Sequence, residues 1–452
     1  MIRRVVVIGA GIGGLSASIA LAARGYRVTV LEKQARPGGK MAEVRANGFR
    51  WDTGPSVITM RHVYEQLFAL AGRRLEDYVQ LVPLQPLTRY FWPDGVVLDA
   101  VSDQDAMAEN IRVAFGPGEA ERYRRFMRYV ARLYEVVGPP FLYRRKPALR
   151  DLLSLPLADV LRLDALRTMH QAISSFFKTP HLRQLFGRFA TYNGSSPYRA
   201  PATLNVIAHV EMAQGAWYPR GGVYQLALAF ERLARELGVE LCYQTPVAEI
   251  ELHHRRVCGV RVEGGVRLPA DAVVCNADYT LARESLLPDR RLAPKLEPSC
   301  SGFVLLIGAR GDRAQLAHHN IFFTDDYPRE FADIFERCVA PTNPTLYLCI
   351  TSKTDPSHAP PGCENWFVLV NAPYLSPAFD WSRQAEPYTS HVLEQLRMWL
   401  ERIAPFGQRL EVIHLDRWTP ADLQARYGGY RGAIYGFSSN TRLAAFSRPN
   451  NR

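Results

Sequence analysis

Residues 5–32 read VVVIGAGIGGLSASIALAARGYRVTVLE, and the assignment of this stretch decides the fold. Val5 to Ala23 carry no charge, and Arg3 and Arg4 stand in front of them. Hydropathy alone suggests export: a basic start, an apolar run and an Ala-rich end resemble a signal sequence. At about 18 apolar residues the run could also just cross a bilayer. The glycines point elsewhere. Val5 to Ile8 form a β-branched run of the kind found in buried parallel strands. Gly9, Gly11, Gly13 and Gly14 follow, then a helix over Leu15 to Ala23 ended by Arg24-Gly25, and a second strand from Arg27 to Leu31 that stops on Glu32. Strand, Gly-x-Gly-x-x-Gly, helix, strand and acid is the order of a dinucleotide-binding unit. Gly9 makes the tight turn, Gly11 lets backbone approach a pyrophosphate, and Gly14 lets helix and strand pack closely. The helix start supplies N–H donors and a positive dipole end for phosphate. Glu32, about 20 residues on, is placed to accept from a ribose hydroxyl.

The next residues narrow the dinucleotide. KQARPGGKM follows Glu32 and carries a second glycine pair, Gly38-Gly39, before Lys40. A nicotinamide unit continues into a helix and needs no second phosphate loop, whereas FAD proteins run this segment back past the pyrophosphate and flavin. GFRWDTGPSVITM then places Gly54-Pro55 in a polar turn between an extended segment and a helix over His62 to Ala71. A plain strand-to-helix turn would explain Gly54-Pro55 equally well on its own.

Taken together, VVVIGAGIGGLSASIALAARGYRVTVLEKQARPGGKM and GFRWDTGPSVITM resemble the bacterial phytoene desaturase family of carotenoid desaturases. SSPYRAPATLNVIAHVE, GAWYPRGGVYQLALAFERLARELGVEL and YRGAIYGFSSNTRLAAF extend the resemblance along nearly the whole chain. The first motif is shared by many FAD amine oxidases; the later segments are more specific. The resemblance implies an α/β fold in which a Rossmann-like FAD-binding domain is interleaved with a mixed-sheet substrate domain and a helical, membrane-facing region. It implies FAD as cofactor and a C30 or C40 polyene as substrate. The cofactor-binding residues expected on this basis are Gly9, Ala10, Gly11, Gly13, Gly14, Glu32, Lys33, Gly39, Lys40, Gly54, Pro55 and Ser56. Val247 joins them where the family's backbone brackets the adenine, and VVCNAD closes the sheet.

The expected organisation follows. Residues 1–72 are the first part of the FAD-binding domain, and 73–215 hold a substrate and helical membrane-facing region. The pattern returns to the FAD-binding domain over 216–299, where a helix over Val223 to Leu237 precedes a strand over Val239 to Tyr243. Residues 300–415 rejoin the substrate domain, with VLLIGAR and TLYLCITSK as central strands, and 416–452 turn back toward the FAD domain. LTRYFWPDGVVLDA reads as a hairpin around Pro93-Asp94-Gly95, and 103–190 are helical by period. Members of the resembled family continue past the stretch matching SSNTRLAAF with a strand, a Gly-rich loop and a closing helix beside the flavin. This chain stops at Arg452 in a polar turn, so the resemblance implies weak FAD retention and low stability.

Composition fits a globular protein of 452 residues, 47% hydrophobic and 22% charged. The net charge of +11 points to an anionic partner. Arg122 to Arg150 concentrates it, with eight arginines and one lysine among aromatics. We read that stretch as an interfacial membrane segment, with Phe126, Tyr129, Leu133, Phe141 and Leu142 in the lipid boundary; a solvated helix face is the plainer alternative. No nucleic-acid motif accompanies it. The seven cysteines are odd in number and lack CxxC spacing, which suggests reduced thiols in a cytosolic setting. The expected location is cytoplasmic, peripheral on the inner face of the cell membrane. His253-His254 and His318-His319 are adjacent pairs that read as surface turns, and no metal site is expected.

Desaturation removes two hydrogens beside a polyene, and a flavin can take the hydride while the protein orients substrate and excludes water. No Ser-His-Asp or paired-carboxylate set stands out, so no catalytic residue is assigned. His209, Glu211 and Arg220 flank segments expected near a substrate tunnel. No second GxGxxG is present for NAD(P)H, so the expected electron acceptor is oxygen or a quinone. Two further readings share the motifs: an oxygenase or ketolase that oxidises the polyene end, and a truncated, non-catalytic polyene-binding relative.

Overall fold

The computed structural model describes residues 3–138, 163–288, 296–404 and 409–442. The decisive stretch folds as a strand over Arg4–Ile8, a helix over Ile12–Ala22 and a strand over Arg27–Leu31. The helix starts three residues before the expected Leu15 because Gly11, in an extended conformation, already serves as its cap. These strands lie in a four-stranded parallel sheet ordered Ala272–Cys275, Arg4–Ile8, Arg27–Leu31, Glu240–Cys242. The sheet therefore joins the chain's start to residues more than two hundred positions later. Val5, Val7, Val28 and Val30 face one side and bury against Leu226, Phe230 and Leu233 of the helix Tyr224–Glu236. Val6, Ile8 and Leu31 face the other side, against Ile250, Val260 and Val262 of a three-stranded antiparallel sheet. Burial on both faces is why these strands read as continuous apolar runs.

The second body is a seven-stranded sheet ordered Val412–Trp418, Ser301–Arg310, Cys363–Ala372, Leu346–Ile350, His319–Phe322, Thr88–Phe91, Val97–Ala100. Its pairs are antiparallel except His319–Phe322 with Thr88–Phe91. The predicted hairpin of residues 88–100 thus enters this sheet beside strands from 319 to 350. The helix Trp381–Ile403 covers one face through Tyr388, Val392, Leu396 and Trp399.

A hairpin over Glu43–Ala46 and Phe49–Asp52 links the two bodies. Arg50 is buried between Asp52, at 2.6 Å, and Glu43, at 2.8 Å. The Tyr218 hydroxyl and the Val223 amide also donate to Asp52, at 2.5 and 2.9 Å. Gly222 has to be glycine here: its φ is +106°, and a Cβ would fall 1.8 Å from the Arg50 guanidinium.

One expectation is corrected. The helix Pro117–Val137 does not bury its apolar face in lipid. Phe126 and Leu133 are fully buried in the protein, with Tyr129 partly so, against Phe176, Phe177, Phe186 and Val206. Arg124, Arg125, Arg128 and Arg132 occupy the exposed face. A helix that docks on a core and one that lies in a membrane have the same apolar periodicity. Phe141 and Leu142 lie outside the described residues. Among the described residues no helix is long and apolar enough to cross a membrane.

Candidate functional site

The glycine loop sits at the carboxyl end of the parallel sheet. Gly9 takes φ of +94°, and a Cβ on Gly14 would fall 2.0 Å from the Gly9 carbonyl oxygen. Helix and strand can approach this closely only without that side chain. The helix Ile12–Ala22 has neither a side-chain cap nor an acid in its first turn. Its first backbone N–H groups are left for an outside acceptor, which suits a phosphate. The Glu32 carboxylate ends the second strand and accepts from the Ala10 amide at 2.7 Å and the Gln34 amide at 2.9 Å. It is thereby locked at the mouth of the loop, with lone pairs remaining for a ribose hydroxyl.

The second glycine pair packs on the first. The Gly38 amide donates to the Ala10 carbonyl at 2.9 Å, and Gly11 and Gly38 form a parallel bridge. A Cβ on Gly39 would stand 3.2 Å from the Gly11 Cα. Lys40 reaches across to donate to the Ile434 carbonyl; desolvation pushes its ammonium down, with Asp278 opposing. Gly54 lets the chain pass beside the Lys40 carbonyl, which a Cβ would meet at 1.8 Å. Val247 begins the strand Val247–His253 and packs against the Ile8 and Leu31 cluster. Lys33 is exposed at the rim. The structure packs the two glycine segments against each other, with Glu32 bonded to the Ala10 amide, and the uncapped helix end and crowded glycines fit a dinucleotide. Asn276 was missed. It follows the strand Ala272–Cys275 and leans over the loop, where its side-chain oxygen would meet a Cβ on Gly13 at 2.6 Å. The sequence signal was its position just past a strand at the binding edge of the sheet.

Beyond Lys40 and Gly54-Pro55-Ser56 opens a cavity of about 450 Å³. Val57, Leu87, Val304, Ile321, Phe367 and Leu369 give it apolar walls. Polar side chains interrupt them, Thr88, Thr345 and Asn371 among others, and two groups are linked by hydrogen bonds. The Tyr347 hydroxyl donates to Ser56 Oγ at 2.5 Å and contacts His319 Nδ1 at 2.8 Å. Burial and then the Arg188 charge push His319 down to about 3, so its ring stays neutral. The other group is Arg188 with Glu211 and Tyr192. Burial works against the Arg188 charge, but Tyr90, Tyr192 and Glu211 outweigh it and hold the guanidinium protonated. Of the three tunnel candidates only Glu211 reaches the cavity. The His209 ring lies tilted against Tyr134, with centroids 4.8 Å apart, and Arg220 is exposed.

The histidine pairs divide. His253-His254 is exposed at the end of a hairpin, whereas His318-His319 is buried, which corrects the surface-turn reading. His319 opens the strand His319–Phe322 of the central sheet. His318, His319 and Cys349 bring ligand atoms within 4.8 Å of one another. Burial pushes the Cys349 thiol up, which disfavours the thiolate that a metal needs.

Comparison with known proteins decides the family. The profile of the flavin containing amine oxidoreductases matches residues 12–419. The chain belongs to that family. As a flavin containing amine oxidoreductase it is an FAD-dependent oxidoreductase. Its relatives include 4,4'-diapolycopene oxygenase of Methylomonas sp, 39% identical over 96% of this chain and 88% of that one. They also include 4,4'-diaponeurosporene oxygenase of Staphylococcus aureus (strain MW2), 34% identical over 98% of this chain and 89% of that one. Among solved structures, putrescine oxidase bound to putrescine superposes with a TM-score of 0.63 at 15% identity, covering 99% of this chain and 91% of that one. An oxidoreductase from Methanosarcina mazei gives 0.61 at 16%, covering 97% and 90%. These two share the fold.

Proposed function

We propose that this flavin containing amine oxidoreductase is a carotenoid oxygenase that oxidises the end of a C30 or C40 polyene. The observation that carries the reading is the largely apolar cavity lined at one end by Lys40, Gly54, Pro55 and Ser56, the residues expected to meet the flavin. The two oxygenases that match along nearly the whole chain favour end oxidation over the desaturation expected from motifs alone. Lys40, Gly54, Pro55 and Ser56 would hold the flavin, which would supply a hydride acceptor when bound. The chain's own part is to hold the polyene between Val57, Ile321, Phe367 and Leu369 and to exclude water. Ser56, Tyr347 and His319 form a neutral hydrogen-bonded wall at the cofactor end. Dioxygen is the co-substrate that balances the reaction: for each terminal methyl group, one oxygen atom enters the product as a carbonyl and the other leaves with two hydrogens as water. The exposed arginines of the helix Pro117–Val137 hold the molecule on anionic lipid at the cytoplasmic face of the membrane, from which a water-insoluble substrate is drawn.

The test is expression in a cell that accumulates diapolycopene. The expected pigment carries added oxygen, and a Gly14→Ala variant gives none. A pigment with fewer hydrogens and no oxygen would return the chain to the desaturases.

A further inference from the structure

Three of the four exposed arginines on the helix Pro117–Val137 converge on one hollow. Arg125, Arg128 and Arg132 stand at i, i+3 and i+7, so their side chains share a stripe. The hollow beside them has a volume of about 460 Å³ and is lined also by Arg167, Asp164, Tyr129 and Phe176. Arg167 comes from another segment and is held in place. Leu163 anchors its turn by burying against Leu133 and Val137. Asp164 then accepts from Arg167 Nε and Nη2 at 2.9 and 2.6 Å, and from the Tyr129 hydroxyl at 2.7 Å.

The charges around this hollow do not balance. Asp164 is the one carboxylate among the described lining residues, and it faces four guanidinium groups. Arg128 reaches Glu121 at 3.5 Å with both side chains more than half exposed. Arg125 and Arg132 have no ion pair among the described residues. Like charges at these spacings destabilise a helix, and an anion seated between them removes the repulsion. Guanidinium forks present paired N–H groups that match the oxygens of a phosphate. Leu166 indicates where that phosphate comes from. It sits in the same turn, between Asp164 and Arg167, and is 78% exposed. An aliphatic side chain beside a basic hollow fits the boundary between headgroups and acyl chains, where both find partners.

We infer that Arg125, Arg128, Arg132 and Arg167 form a pocket for the phosphate of a lipid headgroup, with Leu166 entering the acyl layer beside it. The inference rests on the membrane attachment proposed above and deepens it: one shaped site recognises the lipid, and net charge alone does not. Four guanidinium groups against one carboxylate favour a phosphate monoester, which carries more negative charge near neutral pH than a diester.

The experiment compares two kinds of phosphatidylcholine vesicle at low salt and equal surface potential, one containing phosphatidic acid and the other phosphatidylglycerol. The FAD-loaded chain is titrated with each and binding is read by co-sedimentation. Phosphatidic acid vesicles are expected to bind at least about tenfold more tightly. Arg132→Gln should lose that preference. Arg124→Gln removes the same charge from the same helix but outside the hollow, and should keep it. Both positions are exposed, so neither change disturbs the fold. Leu166→Ser should weaken binding to both vesicles and leave the preference intact. Soluble glycerol phosphate, at the phosphate concentration of the vesicles, should not displace the chain. Equal binding of the two vesicles by the unaltered chain, or loss of the preference in Arg124→Gln as well, overturns the pocket and leaves diffuse attachment. Displacement by glycerol phosphate overturns the lipid as its ligand. Failure to bind either vesicle overturns the membrane reading and the pocket with it.

Discussion

A single methyl group at Gly14 separates a working glycine loop from a blocked one. Gly14→Ala puts a Cβ 2.0 Å from the Gly9 carbonyl, so the helix start must move off the loop. We expect flavin per chain, read by absorbance after heat release, to fall at least about tenfold through loss of the phosphate cradle. Gly25→Ala is the control: its φ is +84°, but nothing lies within 4 Å, so it should cost about 1 kcal/mol and leave flavin content unchanged. Buried histidines set the response to acid. Burial holds His319 at about 3, His358 at about 4 and His318 well below its ordinary value. The unfolded chain protonates these rings below about pH 6.5, so it binds more protons than the folded one and stability falls as pH drops toward 4. Glu330 acts the other way. Burial raises it to about 7, and it gains stability as pH falls from 7 toward 4.5. Three histidines against one carboxyl leave a net loss, about 1.4 kcal/mol per pH unit for each unmatched proton. The melting temperature should therefore fall from pH 7 to pH 5, and His358→Gln should flatten that slope; an unchanged slope would count against burial of that ring. The glycines and Glu32 were legible in the sequence because each answers a backbone demand within some thirty residues. Arg188, Tyr347 and His319 were not, since their partners Tyr90 and Ser56 lie 98 and 291 positions away from Arg188 and Tyr347.

At the scale of elements, most helices and strands follow from period and punctuation. The helix Tyr224–Glu236 lies one residue inside its predicted span at each end, and the 88–100 hairpin turns at Pro93-Asp94-Gly95 as expected. What period cannot tell is the partner of an apolar face. The basic helix Pro117–Val137 shows this, since Phe126 meets Phe177 and Phe186 and not lipid. Phe126→Ala should cost about 3–5 kcal/mol by chemical denaturation. Arg125→Gln or Arg128→Gln should stay within about 0.5 kcal/mol. The hairpin Glu43–Asp52 was read only as the approach to Gly54-Pro55, because the Arg50 and Asp52 cluster closes on residues 218–223. Asp52→Ala leaves Arg50 buried with half its partners, and should cost about 3–5 kcal/mol.

The whole molecule interleaves two bodies. The parallel sheet takes strands from 4–31, 240–242 and 272–275, while the seven-stranded sheet takes them from 88–100 and 301–418. The first two strands of the parallel sheet could be read from the sequence because their β-branched runs flank the glycine loop. The cavity between the Gly54-Pro55-Ser56 turn and the second sheet could not, since residues from 40 to 435 contribute to it. The net charge of +11, with Arg124, Arg125, Arg128 and Arg132 on one exposed face, predicts electrostatic membrane attachment. Co-sedimentation with anionic vesicles should be strong at low salt and largely lost near about 0.5 M, where screening lengths shrink below about 5 Å. Changing all four arginines to Gln should weaken it; binding indifferent to salt would mean apolar insertion instead. The central claim is that this flavoprotein adds oxygen to a polyene. The most direct measurement is the mass of the product formed when the purified, FAD-loaded chain is incubated with diapolycopene in air. A product heavier by oxygen, absent when flavin is removed and restored when it is returned, is the predicted result; a flavin-dependent product lighter by hydrogen alone would contradict it.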